Sequence, residues 1–287
     1  MKKIDEARSM LEEGISGRQE VIWITGASSG IGRGLAIKMA SQGHQVIASA
    51  RSSDDLYQLS IENKNIATHV VDVCDVENLN SVSALIEKQY GYIDKIIINA
   101  GSCEYFDVDE PDWGMMRRVM EVNYFGSINT VQQALPLLRK SLGSTKKSSA
   151  NSKEEENCYP HIVVVASLAS VVPFPRAEAY GASKAALQYF FESLRIDLDK
   201  ENIGVTIIQP GFVKTPLTDK NDFPMPFIIT ADEAVDTIVK KMGKQNRLFY
   251  FPKRLGLLIY LMRTFSSFWH WLAVNKLSRQ SSTSNNH

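Results

Sequence analysis

Val21-Ile22-Trp23-Ile24-Thr25-Gly26-Ala27-Ser28-Ser29-Gly30-Ile31-Gly32 is the stretch on which the fold of this chain turns. A short apolar run without polar alternation reads as a strand covered on both faces, the habit of buried parallel sheets. It runs directly into glycines and serines, and helical spacing begins at Ile31. A strand, a glycine-rich turn and a helix in that order let the backbone bend tightly and approach an anion at the helix N-terminus, as in dinucleotide sites that hold a pyrophosphate. Gly26, Ser28, Ser29, Gly30, Ile31 and Gly32 are therefore the first candidate cofactor-binding residues. Alone the signal is weak, because a tight strand-to-helix turn without any ligand has the same composition.

Working outward, similar apolar runs recur at Gln45 to Ser49, Ala67 to Val71, Lys95 to Asn99, Ile162 to Ala166 and Val205 to Gln209. Between them the apolar spacing is helical, at Ile31 to Gln42, Leu56 to Glu62, Val76 to Tyr90, Pro111 to Leu142 and Ala179 to Lys200. Strand and helix alternate. Right-handed crossovers between parallel neighbours need a helix each, so this order predicts an α/β fold, a doubly wound and mostly parallel sheet with helices on both faces. No linker divides the alternation, so residues 20–250 are expected to form a single domain after a charged leader, 1–19, and before an extension, 251–287. Gly143 to Cys158 lacks large apolar residues and reads as a mobile surface loop at the N-terminal edge of the strands, away from any ligand.

Composition narrows the classes. With 287 residues, 44% hydrophobic and 22% charged, the chain is an ordinary globular one, long enough to bury roughly 75% of its unfolded surface without disulfide or metal staples. Three cysteines, Cys74, Cys103 and Cys158, are an odd number without CxxC spacing, so neither a disulfide framework nor a zinc site is expected. The charge totals cancel at 32 basic and 32 acidic residues, yet nine of the basic ones and no acid lie from Lys240 onward. The body is thus strongly acidic and the tail strongly basic, which points the tail toward something anionic.

Further along stand Asp72-Val73, Asn99-Ala100-Gly101, Asn123 within Val122-Asn123-Tyr124-Phe125-Gly126, Ser167, Tyr180-Gly181-Ala182-Ser183-Lys184, and Pro210-Gly211-Phe212-Val213-Lys214-Thr215. Together with the TGxxxGxG spacing of the first turn, they resemble the short-chain dehydrogenase/reductase family, in its branch of about 250 residues. The resemblance runs from about Val21 to Thr215. The family's usual Asn before Asn-Ala-Gly is Ile98 here. The resemblance implies a Rossmann-like sheet of seven strands and a catalytic tetrad of Asn123, Ser167, Tyr180 and Lys184. It also implies cofactor contacts from Asp72, Val73, Asn99, Ala100, Gly101, Pro210, Gly211, Val213 and Thr215, besides Tyr180 and Lys184, and a homo-oligomer built through the helices of Pro111 to Leu142 and Ala179 to Lys200. In that scheme Lys184 holds the nicotinamide ribose, and Asn123 bends its helix and holds a water for a proton relay.

The residues support this chemistry by their own properties. Tyr180 and Lys184 are four apart on an expected helix and share a face. A phenol loses its proton near pH 10, so an adjacent ammonium and a cationic nicotinamide are expected to bring it toward neutrality as a general acid/base. Ser167 is expected at a strand's C-terminal end, where its hydroxyl can stabilise charge on a substrate oxygen.

The second strand ends at Ala50-Arg51, where an NAD-preferring chain presents an acid to the ribose 2′-hydroxyl. Ala50 offers none, and Arg51 can pair with a 2′-phosphate. NADP(H) is therefore expected over NAD(H), with Arg33 as an additional candidate contact. Asp54 and Asp55 are expected to support the next helix start instead of the ribose.

After Asp222-Phe223-Pro224-Met225-Pro226-Phe227, read as an apolar substrate lid, Leu255 to Val274 is apolar and aromatic with interspersed bases. Its nine Leu, Ile, Phe or Val residues favour insertion by about 0.3 to 0.6 kcal/mol each, while a central Arg263 costs about 2.5 to 3.5 kcal/mol and His270 adds more, a sum near zero. An interfacial apolar basic helix fits better than a spanning one, with packing on a subunit or over the substrate pocket as the competing reading. Ser281 to His287 reads as a disordered tail. The expectation is an oxidoreductase moving hydride between NADP(H) and a ketone or secondary alcohol. Its substrate is taken as apolar or lipid-like, with no nucleic-acid partner. Its place would be the cytoplasm, with the membrane surface engaged through 254–276 from the inner face. The alternatives are epimerase or dehydratase chemistry on the same fold, and a catalytically silent dinucleotide sensor or membrane-recruited binding protein.

Overall fold

In the computed structural model, residues 19–148, 159–242 and 246–277 are described. The leader, 149–158 of the expected loop and the Ser281 to His287 tail lie outside them. Seven strands form one sheet: β1 (Val21–Thr25), β2 (Gln45–Ala50), β3 (Ile66–Val70), β4 (Lys95–Ile98), β5 (His161–Val165), β6 (Gly204–Pro210) and β7 (Leu248–Phe251). Their order is β3-β2-β1-β4-β5-β6-β7 and all neighbouring pairs are parallel. The chain winds outward from β1 to β3, then returns to place β4 beside β1. That reversal opens a crevice at the C-terminal ends of β1 and β4, the place where such sheets bind ligands. The seventh strand, Leu248–Phe251, was not among the apolar runs: at four residues between basic stretches it carries little signal.

The helices are α1 (Gly30–Ser41), α2 (Ser53–Glu62), α3 (Val76–Tyr90), α4 (Gly114–Met120), α5 (Gly126–Ser148), α6 (Glu178–Leu198), α7 (Ala231–Met242), α8 (Lys253–Thr264) and α9 (Ser266–Leu272). Local chemistry sets several ends. Ser52 caps α2 by accepting from the Asp55 N–H, with Asp54 and Asp55 in its first turn, as expected for acids at a helix start. Asp75 caps α3, which stops at Gly91 in the left-handed region, φ 81°.

Two cores cover the sheet. On one face α1, α2 and α7 contribute Leu35, Leu56, Leu59 and Ile238; on the other α3, α5 and α6 contribute Leu79, Leu137, Leu187 and Phe191. Trp23 is fully buried in β1 and donates its Nε1–H to the Ser49 hydroxyl on β2 at 2.9 Å. At the opposite strand ends, Asp94 accepts from the Val21 N–H (2.8 Å) and Ser141 hydroxyl (2.7 Å).

Three elements differ from the expectation. The helix predicted over Pro111 to Leu142 is two helices joined by a π turn, Glu121–Phe125. The second of them, α5, runs on to Ser148, into the stretch read as a loop. The expected C-terminal helix over Leu255 to Val274 is broken at Phe265 into α8 and α9 and ends in a π turn, Ala273–Leu277. It packs on the domain: Leu255, Ile259, Met262 and Trp269 form a small core with Leu168, Val171 and Val172.

Candidate active site

A cleft of about 460 Å³ opens at the crevice between β1 and β4. Its first wall is the glycine turn. Gly26 has φ 67°, and a β-carbon there would lie 2.7 Å from the Ala100 Cα, so the turn and the segment after β4 approach as only glycine permits. Asn99 locks that approach, donating from Nδ2 to the Gly26 carbonyl at 2.9 Å. At the start of α1, Ser29 makes no side-chain capping bond and the first turn carries no acid. The N-terminal N–H groups of a twelve-residue helix are thus open to an anion, and the residues around them fit a pyrophosphate.

Ser28, Ser29, Gly30, Ile31, Arg51, Asp72, Val73, Asn99, Ala100, Gly101, Ser167, Tyr180, Lys184, Pro210, Gly211, Val213 and Thr215 all line the cleft with Gly26. Gly32 does not. A β-carbon on it would clash with the Gly26 carbonyl and the Asn99 amide, so it serves the packing of the turn. Arg33 is off the wall as well, paired with Glu62. Ala50, Arg51 and Ser52 border the end of the cleft that also carries Asp72. Arg51 is exposed there, and Asp72 accepts from the Cys74 N–H at 2.9 Å.

Toward the other end stand the four expected catalytic residues. Ser167 follows β5 and caps a 3₁₀ turn, Leu168–Ser170, accepting from the Ala169 N–H at 3.1 Å. Tyr180 and Lys184 sit one turn apart on α6, with the Lys184 Nζ 5.9 Å from the Tyr180 ring centre. Lys184 is buried and donates to the Val165 carbonyl at 2.9 Å. Asn123 lies in the π turn and is wholly buried: its Oδ1 accepts from the Ser102 N–H at 2.7 Å, and its Nδ2 donates to the Ser102 carbonyl and the Ser183 hydroxyl, each at 2.9 Å. The bend is as expected. Both amide hydrogens are committed, so the side chain positions the segment after Gly101 against α6.

The electrostatics reverse one expectation. Burial pushes the Tyr180 phenol up to about 12, with Cys103 adding to the rise and the Ser167 hydroxyl drawing it back. Lys184 is itself pushed down by burial, to about 8. The amine therefore does not make the phenol acidic in the protein alone, because both groups are removed from water and each favours its neutral form. Tyr180 as a whole remains partly open to the cleft.

Sequence reasoning missed a set of contacts that holds the Pro- and Phe-rich segment in place. The Tyr105 hydroxyl donates to Asn221 Oδ1 at 2.5 Å, and its ring meets Phe223 edge-on with centroids 5.6 Å apart. Arg176, at φ 64°, lies over the Tyr105 ring at 5.4 Å and pairs with Asp222 at 2.8 Å. Cys103 interacts with both Tyr105 and Lys184, its thiol raised by burial. The Pro- and Phe-rich segment is thus clamped to the segment after Gly101 by residues that share no motif. The only sequence signal was proximity, Tyr105 just after Asn-Ala-Gly and Arg176 one turn's length before Tyr180.

A family model described as short chain dehydrogenase matches residues 20–224. Among curated relatives, an uncharacterized oxidoreductase of Myxococcus xanthus is 34% identical over 238 residues, covering 81% of this chain and 87% of the other. An 11-beta-hydroxysteroid dehydrogenase A of Arachis hypogaea is 35% identical over 73% of this chain, which spans only 56% of that relative. The mouse dehydrogenase/reductase SDR family member 7B is 32% identical, with 70% of this chain and 60% of that one covered. In fold, the chain is similar to a short chain dehydrogenase from Burkholderia cenocepacia J2315 crystallised with NADP, with a TM-score of 0.74, 24% identity, and coverage of 90% and 98%.

Proposed function

This chain belongs to the short-chain dehydrogenase/reductase family of NAD(P)-dependent oxidoreductases, and from that premise we propose that it moves hydride between NADP(H) and a ketone or secondary alcohol on an apolar or lipid-like substrate. The observation that carries the reading is the convergence of Ser167, Tyr180 and Lys184 on one cleft wall opposite an uncapped helix N-terminus. When bound, the nicotinamide supplies or accepts the hydride. The chain's own residues do the rest.

Tyr180, a phenol in its acid form at neutral pH that burial pushes up further, gives its proton to the substrate oxygen as negative charge develops there. Ser167 donates a hydrogen bond to the same oxygen and stabilises that charge. Lys184, held by the Val165 carbonyl, orients the ribose and restores protons to Tyr180. Asn123 keeps this wall in register through Ser102 and Ser183. Arg51 supports NADP(H) over NAD(H), since an exposed guanidinium that borders the cleft can pair with a ribose 2′-phosphate and Ala50 offers no acid. An apolar substrate is supported by Phe212 and Phe223 near the clamp, whose rings meet at 6.1 Å, and by the steroid named for the Arachis relative. The exposed Phe125, Tyr189 and Ile196 on or beside α5 and α6 support a homo-oligomer through those helices.

The test is consumption of NADPH and NADH with a series of ketones of increasing chain length, for wild type and Tyr180→Phe. NADPH should be preferred, turnover should rise with chain length, and Tyr180→Phe should lose about 10² to 10⁴ of the rate. Turnover confined to small polar ketones would remove the apolar substrate. Tight cofactor binding with no turnover in either form would identify a sensor.

A further inference from the structure

We propose that the outer face of the kinked helix pair α8 and α9 is a docking surface for an anionic lipid bilayer. On its inner side the pair is part of the domain: Tyr260 donates to Gln209 Oε1 at 2.8 Å, Trp269 donates its Nε1–H to the Pro173 carbonyl at 2.8 Å, and the Trp269 ring meets Phe174 edge-on at 5.2 Å. What faces outward is therefore held in place. Leu257, Leu258 and Leu261 on α8, Phe265 at the bend, and Phe268, Trp271 and Val274 beyond it are between 47% and 66% exposed, with Phe268 and Trp271 stacked at 5.8 Å. Seven large apolar residues on consecutive turns of this helix pair form the kind of patch that soluble surfaces avoid.

Charge decides the occupant. Lys253, Arg254, Arg263 and His270 are exposed around this face, and from Lys240 to the end the chain has no acid. Against a second copy, a like-to-like pairing would set these bases against themselves with no carboxylate in the segment to neutralise them. An anionic bilayer meets both demands at once, because headgroups take the bases while the aromatic and leucine side chains enter the acyl boundary. The pair lies on the surface and does not cross: its inner side is packed on the domain, and no described helix is long and apolar enough to span. Beside the face, a notch of about 380 Å³ between Val172–Pro175 and Met262, Trp269 and Val274 has a mainly apolar lining, with Arg263 and His270 among its walls. It extends the apolar surface toward the residues that follow Ser167, so docking sets the substrate end of the cleft beside the lipid.

Flotation of the full chain with vesicles tests this, using phosphatidylcholine alone and three parts phosphatidylcholine to one part phosphatidylglycerol. Binding should require the anionic vesicles, weaken as salt is raised, and fall more than tenfold in Arg254→Glu/Arg263→Glu, since each base near such a surface contributes roughly fivefold. Leu261→Glu/Phe268→Glu should abolish binding while keeping the wild-type melting transition and NADPH consumption. Wild-type chain that stays off anionic vesicles overturns the proposal, as does binding unmoved by the charge variant. A dimer in solution that Leu261→Glu/Phe268→Glu splits, without vesicle binding, overturns it in favour of a second copy on this face. Should the glutamate pair fail to fold, the charge variant and the salt response still decide.

Discussion

Tyr180 and Lys184 show how a spacing reports geometry and conceals environment. Four residues on α6 place the pair on one face whatever surrounds them. The direction of their titration depends on burial: desolvation raises the phenol to about 12 and lowers the amine to about 8, a result that no count along the chain contains. The outcome keeps Tyr180 in its acid form at neutral pH, which suits donation to an alkoxide. Arg51 is the residue whose role is most open to a single substitution. Arg51→Asp removes the cation beside Ala50 on the cleft wall and adds an acid there. Its KM for NADPH should rise about tenfold to a hundredfold, the worth of one charge-assisted hydrogen bond, while NADH becomes the better cofactor, both read from steady-state kinetics at fixed substrate.

At the scale of elements, the π turn at Glu121–Phe125 and the helix pair broken at Phe265 matter more than the regular helices. The extra residue in the turn brings Asn123 inward to tie the Ser102 backbone to Ser183 on α6, so a local irregularity sets the distance between two walls of the site. The seat of α8 depends on a close approach of another kind. Gly256 on α8 packs against the Tyr250 ring of β7 with no room for a β-carbon. Gly256→Ala should lift α8 from β7 and destabilise the protein by about 1 to 3 kcal/mol, the ordinary cost of overpacking. Urea melts would measure this, and limited proteolysis should show earlier cleavage after Lys253.

For the whole molecule, one buried histidine links stability to pH. His161 begins β5, shares a 2.8 Å hydrogen bond with the Thr206 hydroxyl, and is held down to about 3 by burial, with the Lys95 charge adding to the depression. The unfolded chain binds this proton below about 6.5 and the folded chain does not, so the contribution is complete above pH 6.5 and is lost as pH falls toward 3. By pH 4.5 the loss should be on the order of 3 kcal/mol. Denaturant melts at pH 7 and pH 4.5, on wild type and His161→Asn, should show a shallower pH slope in the variant.

The order of apolar runs and helical spacings by itself determined the parallel α/β architecture, because burial on both sheet faces leaves unbroken runs of Val and Ile that composition records directly. Tyr180 and Lys184 were legible as a pair because a shared helix face depends on residues four apart in the chain, the glycine turn because strand, glycines and helix follow one another directly, and Ser167 through its place in the family's pattern. Tertiary structure alone decided the Tyr105–Arg176–Asn221 clamp, the fate of Arg33 and Gly32, the direction of the Tyr180 shift, and which side of the C-terminal segment stays exposed. Each of these depends on residues distant in sequence brought into one dielectric environment, and contact across such separations leaves no periodicity to read.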